Sequence, residues 1–364
     1  MSNAFTDHWQ PPQPHETQEQ RAHRLGVSIA ALELLAAAEV IDLHIDTFIP
    51  VRLWGYDVRR WHGPGLLRGK FFGHLDLPRM RDGGLGGAMW SLTTNPLRTP
   101  EGRWSQLQRN YELLQGIAAS SGGELGLARD VSSYRAVRAT GAMAVLAAIQ
   151  GGHALEDCPD LDEFLGLGWL TRITLIHLID AVYGATSSPL RRQSPAAITH
   201  QGIELIEAMD RNRVFVDLAH IARPAFWQAV AAHDAARPLL ATHTGVDGVT
   251  PHWRNLDDEQ LRAIAGTGGV VGIIFAANFL KTRQGPQDLS LVIAHLEHVI
   301  RVAGVQAAAL GSDYDGAIMP PPGLADGLGY PRLVEAMLRA RWPETQILQV
   351  LGGNFLRAFA QLRP

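Results

Sequence analysis

The chain has 364 residues, 46% of them hydrophobic and 19% charged, so a large buried core can be built and disorder is not the expected state. A net charge of −4 without a basic stripe excludes a general nucleic-acid binder, and the single cysteine, Cys158, excludes both an intrachain disulfide and a thiolate metal cage. Residues 1–25 are polar, with Pro11, Pro12 and Pro14 and no apolar core of a secretory signal, and no long apolar span follows. The expectation is a cytoplasmic protein with no membrane partner.

In chain order, an Ala- and Leu-rich stretch at 16–38 predicts an N-terminal helix, and V-I-D-L-H at 40–44 predicts the first strand. Residues 50–80 lack periodicity and read as a long loop. Strands follow at 86–91, 143–149, 172–176, 213–218, 238–242, 269–275 and 307–311. Helical patterns lie between them at 101–119, 160–167, 198–211, 222–234, 257–266 and 287–304, with a loop at 312–328 and terminal helices at 329–341 and 344–360. Continuous apolar strands alternating with helices indicate a parallel sheet buried on both faces. Eight of them, with no G-x-G-x-x-G after the first, predict an α/β fold of the (β/α)₈ TIM-barrel class, one domain over 1–364 with extra terminal helices.

The chemistry-bearing residues fall at strand ends. His44 and Asp46 close the first strand, and Gln150 follows the third in I-Q-G-G-H. His177 ends the fourth, His220 the fifth, His243 the sixth and Asp313 the eighth. One polar residue at a strand end is ordinarily a cap or a structural group. In a barrel, however, these ends converge on one mouth, where barrel active sites are built. Neutral imidazoles and hard carboxylates gathered there suit Zn²⁺, with Mn²⁺ or Co²⁺ as substitutes.

These segments carry a resemblance over nearly the whole chain. D-L-H-I-D-T, G-G-L-G-G-A-M-W-S, Q-G-G-H-A-L-E-D, T-L-I-H, F-V-D-L-A-H, T-H-T-G-V-D-G-V-T-P-H-W-R-N, G-S-D-Y-D-G and the tail G-G-N-F-L-R-A-F resemble, in order and spacing, the renal (membrane) dipeptidase family of the amidohydrolase superfamily. The resemblance implies a two-zinc barrel that hydrolyses dipeptides and tolerates a D-residue on the carboxyl side, and it implies a homodimer. By position, His44, Asp46 and Asp313 would surround one metal, and His220 and His243 would hold the other. Asp313 would accept the proton of the attacking water, His177 would polarise the scissile carbonyl, and Arg254 in H-W-R-N would bind the substrate carboxylate.

One departure matters. The family pattern has a bridging glutamate before G-G-H, where this chain has Gln150. Two divalent ions about 3.5–4 Å apart repel by on the order of 20 kcal/mol at an effective dielectric of about 20, and anionic bridges offset that repulsion. A neutral amide removes one of those charges. The expectation is therefore one firm zinc at His44, Asp46 and Asp313, and a second, weakened one at the two histidines. Glu156 is a candidate substitute carboxylate with an ordinary surface role as its alternative. Asp217 and Asp315 are candidates for holding imidazoles in the right tautomer. His153 is expected to support its loop, and His62, His74 and His252, with Trp54, Trp61 and Trp90, are candidates for lining the mouth or for packing. Two other functions stay open. One is a hydrolase of other small amides, such as N-acyl amino acids or β-lactam-like compounds; the other is a metal-poor relative that binds without turnover.

Overall fold

A parallel strand buried on both faces is stable only when its neighbours and a layer of helices cover it, and closing the sheet on itself removes the exposed edges. The computed structural model, described for residues 15–63, 70–282 and 285–364, adopts this solution. Strands β1 (Val40–Ile45), β2 (Leu85–Ser91), β4 (Met143–Gln150), β5 (Leu170–Thr174), β6 (Phe215–Asp217), β7 (Leu240–Thr244), β8 (Val270–Ile273) and β9 (Ala308–Leu310) pair in parallel, each with the next. The pairing of β1 with β9 closes the ring. This is the expected (β/α)₈ barrel, and every residue of these eight strands is buried.

A ninth strand, β3 (Leu125–Leu127), was not expected; it pairs with Met143–Val145 below the point where β5 joins β4. The N-terminal helix is two helices, Gln18–Leu25 and Ile29–Ala37. Gly26 ends the first in the left-handed region, and the Ser28 side chain caps the second. Short helices at Phe48–Trp54 and Leu77–Asp82 punctuate the segment read as one loop. The last helical stretch divides at a π-turn, Gln349–Gly353, before Asn354–Leu362. The expectations at 1–14, and the part of the loop at 64–69, lie outside the described residues.

The final helix fixes which end of the barrel is free. Phe355, Phe359 and Leu362 of the final helix pack in one cluster with Phe215, Leu240 and Val270, the residues that open β6, β7 and β8. The N-terminal ends of the strands are thereby covered, leaving the C-terminal ends for a site. Among the described residues no helix is long and apolar enough to cross a membrane.

Candidate metal centre

At the C-terminal mouth the backbone itself ties the first and last strands together. The Asp46 amide donates to Tyr314 O at 2.8 Å, and the Asp313 amide donates to His44 O at 2.9 Å. His220, Asp313 and Asp315 all take left-handed backbone conformations, with φ of 67°, 62° and 68°. Each costs a non-glycine residue about 1–3 kcal/mol, and such strain gathers where side-chain direction matters more than local stability. Gly151, directly after β4, has φ 92°, and a Cβ there would lie 2.3 Å from the His153 ring and 3.2 Å from His177 Cβ. Only glycine lets the chain turn between these two histidines.

The imidazoles form a continuous chain across the mouth. Ring centroids are 3.7 Å apart for His44 and His243, 4.9 Å for His243 and His220, and 4.8 Å for His220 and His177. A donor atom of each of His44, His243 and Asp313 lies within 4.8 Å of the others, and His220 Nε2 is 2.8 Å from His243 Nε2. Asp46 Oδ1 and Asp313 Oδ1 stand 3.5 and 3.6 Å from His44 Nε2. The residues singled out in the sequence as metal ligands are thus in one place, and His177 adjoins them.

Burial controls the charge of this cluster. It pushes His44, His177, His220 and His243 well below the ordinary imidazole range; Arg172 and Arg254 add to that effect at all four, and neighbouring imidazoles add to it at His177, His220 and His243. Burial also raises Asp46 to about 7, against the pull of Arg172 and Arg52. It raises Asp313 well above the ordinary carboxylate range too, with Asp46 as the next cause. Neutral imidazoles beside two desolvated carboxylates of like charge form a donor set that a divalent cation relieves. The tautomer of His243 fits as well. The Thr242 hydroxyl donates its only proton to Asp217 Oδ2 at 2.7 Å, so at 2.9 Å it accepts from His243 Nδ1–H and leaves the lone pair on Nε2, the atom that faces His220 Nε2. His220 Nδ1 has no hydrogen-bond partner among the described residues.

Gln150 sits at the centre of the cluster, 1% exposed. In the amide orientation that matches donors to acceptors, its nitrogen donates to both Asp46 oxygens at 3.1 and 3.2 Å. Its oxygen accepts from His44 Nε2 at 3.2 Å. One residue of this network was not singled out in the sequence. Arg172, on β5 and fully buried, places Nη2 2.9 Å from His44 Nδ1 and 3.0 Å from Ser91 Oγ. Its Nη1 reaches Ile149 O at 3.1 Å, Thr174 Oγ1, and Asp217 at 3.5 Å. The available signal was a cation inside an otherwise apolar barrel strand, a residue type that is almost never fully buried without partners.

Arg254 is buried rather than at the surface. Its Nη2 donates to His243 O at 2.6 Å, while Nε has no partner among the described residues. It lines a cavity of about 210 Å³ with His220, Asp247, His252 and Trp253. Burial pushes its guanidinium down to about 10 in spite of Asp313 and Asp217, which marks a cation short of counter-charge.

The structure decides between the alternatives left for the lesser residues. Glu156 is engaged by Arg103 and is no substitute bridge. Asp315 holds no ring at the cluster: it accepts from the Gly73 and His74 amides and from Thr47, and so pins the 73–74 segment. Asp217 reaches His243 through Thr242 rather than directly. His252 lines the cavity, whereas His62 stacks on Tyr56 and Trp90 is core.

Comparison with known proteins follows this geometry. A family model described as membrane dipeptidase, peptidase family M19, matches residues 29–363. A Klebsiella pneumoniae protein, described as an uncharacterized protein in the pqqA 5′ region, is 31% identical over 261 residues, which is 70% of this chain and 93% of that one. Among solved structures, dipeptidase AC, a metallopeptidase of family M19, superposes with a TM-score of 0.77 at 27% identity, over 89% of this chain and 98% of that one. A metallopeptidase from Rhodobacter sphaeroides, liganded with a phosphinate mimic of the dipeptide L-Ala-D-Ala, gives 0.76 at 25% identity, over 89% and 99%.

Proposed function

The chain belongs to the membrane dipeptidase family, peptidase family M19, and from that premise, which makes it a metallo-dipeptidase, we propose a zinc enzyme that cleaves small free dipeptides, including those with a D-residue at the carboxyl side. The observation that carries the proposal is the junction of two parts. The imidazole and carboxylate cluster opens directly, through His220, onto a cavity that presents the under-compensated Arg254 guanidinium. A fork of N–H donors next to a cation site recognises a short substrate whose free carboxylate lies close to the scissile bond. The D-residue preference leans on the relative that binds a phosphinate mimic of L-Ala-D-Ala.

When bound, the ion supplies Lewis acidity to water and carbonyl. The protein's own groups do the rest. Asp313 takes the proton of the attacking water on a carboxylate oxygen and returns it to the leaving amine nitrogen. His177, held neutral, donates to the carbonyl oxygen as negative charge develops there. Arg254 orients the substrate by its carboxylate, and Thr242 fixes the direction of the His243 ring.

A panel of L-L and L-D dipeptides set against N-acyl amino acids and a β-lactam-like amide tests the reading, each with and without a chelator. Hydrolysis of free dipeptides that the chelator abolishes is expected. Turnover confined to N-acyl substrates would replace the dipeptide assignment with the other small-amide reading. A metal-loaded protein that turns over none of them would favour the binding relative, for which Gln150 is the specific observation.

A further inference from the structure

The bridging position carries no charge of its own, and a cation, Arg172, stands in the network beside it. Arg172 is a guanidinium with donors only, so the atom it meets at 2.9 Å, His44 Nδ1, must present a lone pair. A neutral imidazole with its Nδ1 lone pair taken carries its proton on Nε2. That assignment agrees with the carbonyl and carboxylate oxygens around Nε2. Gln150 offers its carbonyl oxygen there at 3.2 Å, and the Asp46 and Asp313 carboxylates lie at 3.5 and 3.6 Å, all acceptors. The network then runs in one sense: Arg172 donates to His44, His44 to Gln150, and Gln150 to Asp46. A glutamate at 150 would have no proton to give Asp46. His243 is in the opposite state, donating from Nδ1 to Thr242 and presenting its Nε2 lone pair to the mouth, where His220 Nε2 faces it at 2.8 Å. Of the two imidazoles whose donor atoms cluster with Asp313 within 4.8 Å, His44 turns a proton towards the cluster and His243 a lone pair.

The charges agree with this geometry. Two divalent ions among three carboxylates leave one net positive charge. One divalent ion and a guanidinium, among Asp46 and Asp313 only, leave the same. Exchanging one ion and one carboxylate for an arginine and an amide conserves the charge of the centre while abolishing the strongest repulsion in it. We infer that the Arg172 guanidinium stands in for one of the two cations of the family's centre, holding His44 as a donor from Nε2, so that this chain binds a single divalent ion, on the side of His243, His220 and Asp313. The firm and weak sides expected from the sequence are thereby reversed. Arg172 is a positioning residue: it acts on the ion through His44.

The inference rests on the metal centre proposed above, and its test separates the two. The purified chain is dialysed against excess zinc, and its bound metal is counted. The wild type and Gln150→Glu are each expected to hold one ion per chain, and Gln150→Glu with Arg172→Met to hold two. Two ions in the wild type, or in Gln150→Glu alone, would overturn the role of Arg172 and leave the dipeptidase reading intact. No ion in the wild type would overturn both. Because Arg172→Met opens a buried network and can fail to fold, a second measurement uses only the zinc-loaded wild type. Nitrogen-15 NMR of histidine-labelled protein reads each ring's tautomer. A protonated Nε2 on His44, with a protonated Nδ1 on His243, is expected. A His44 protonated on Nδ1 in the zinc form would mean that Nε2 carries metal, and the inference would fall.

Discussion

Replacing Arg254 with methionine keeps the length and apolar stem of the side chain but removes the fork. Arg254 is 3% exposed, and Nη2 is already spent on His243 O, so substrate would be held by the remaining N–H groups, Nε among them. Removing one partner of a buried charged pair costs about 2–5 kcal/mol. The hydrogen bond already committed to the backbone places the expected loss near the middle, about 3 kcal/mol, or roughly 150-fold in kcat/KM at about 1.36 kcal/mol per decade. The effect should appear mainly in KM, because the carboxylate is bound in ground and transition states alike. The free enzyme should not suffer comparably, since a cation that burial has pushed down to about 10 is itself a cost to folding. The assay compares a dipeptide with its C-terminal amide. The wild type should prefer the free acid by about the same factor, roughly 150-fold, and the variant should lose that preference, with Arg254→Lys intermediate because a point charge replaces a fork. A methionine variant that keeps the wild-type KM and still discriminates against the amide would refute the carboxylate-clamp reasoning.

Three further outcomes are expected. His177→Ala should lower kcat by about two orders of magnitude with little change in KM, as the loss of one donor to a developing oxyanion does; an unchanged kcat removes His177 from the reaction. Thr242→Val, nearly the same shape, should weaken zinc affinity by about 10- to 100-fold in a chelator competition, while Thr242→Ser retains it; equal affinity in both variants would show that the hydroxyl does not orient His243. His295 is buried, accepts from the Val246 amide at 2.9 Å, and is pushed down to about 4 by burial. Its folded pKa lies below its unfolded value of about 6.5, so the unfolded chain binds the proton first and stability falls as pH drops from about 6.5 towards 4. Denaturant titrations should show that His295→Gln removes about 1.4 kcal/mol of this loss per pH unit; an unchanged slope would contradict the assignment.

Much of the barrel was legible because burial on both faces forces long apolar runs. The eight ring strands stand where V-I-D-L-H, M-A-V-L-A-A-I and their counterparts place them. The candidate ligand residues were legible for a related reason: an ionisable group at the end of an apolar run needs an explanation, and the barrel supplies a common one. What escaped was short or non-local. Three residues, Leu125–Leu127, are too few for a period, and the helix at Phe48–Trp54 carries a proline and no side-chain cap at its N-terminus. The break at Gly26 was readable from L-G-V-S, a left-handed glycine followed two residues later by a capping serine. Arg172 was present as the first residue of an expected strand, but what it touches is 128 residues away, and sequence spacing says nothing of such a contact. Asp315 and Asp217 differ for the same reason. Both are buried at the mouth, yet only three-dimensional position decides that one pins a loop while the other steadies the His243 ring through Thr242.

The central claim is that distant histidines and aspartates are gathered around a cation. Anomalous diffraction recorded on either side of the zinc absorption edge, from crystals of the zinc-loaded protein, tests it most directly. A peak at bonding distance, about 2 Å, from His243 Nε2 at the C-terminal mouth of the barrel is the expected result. A mouth without anomalous density, or zinc bound only at surface side chains remote from His220, His243 and Asp313, would contradict it.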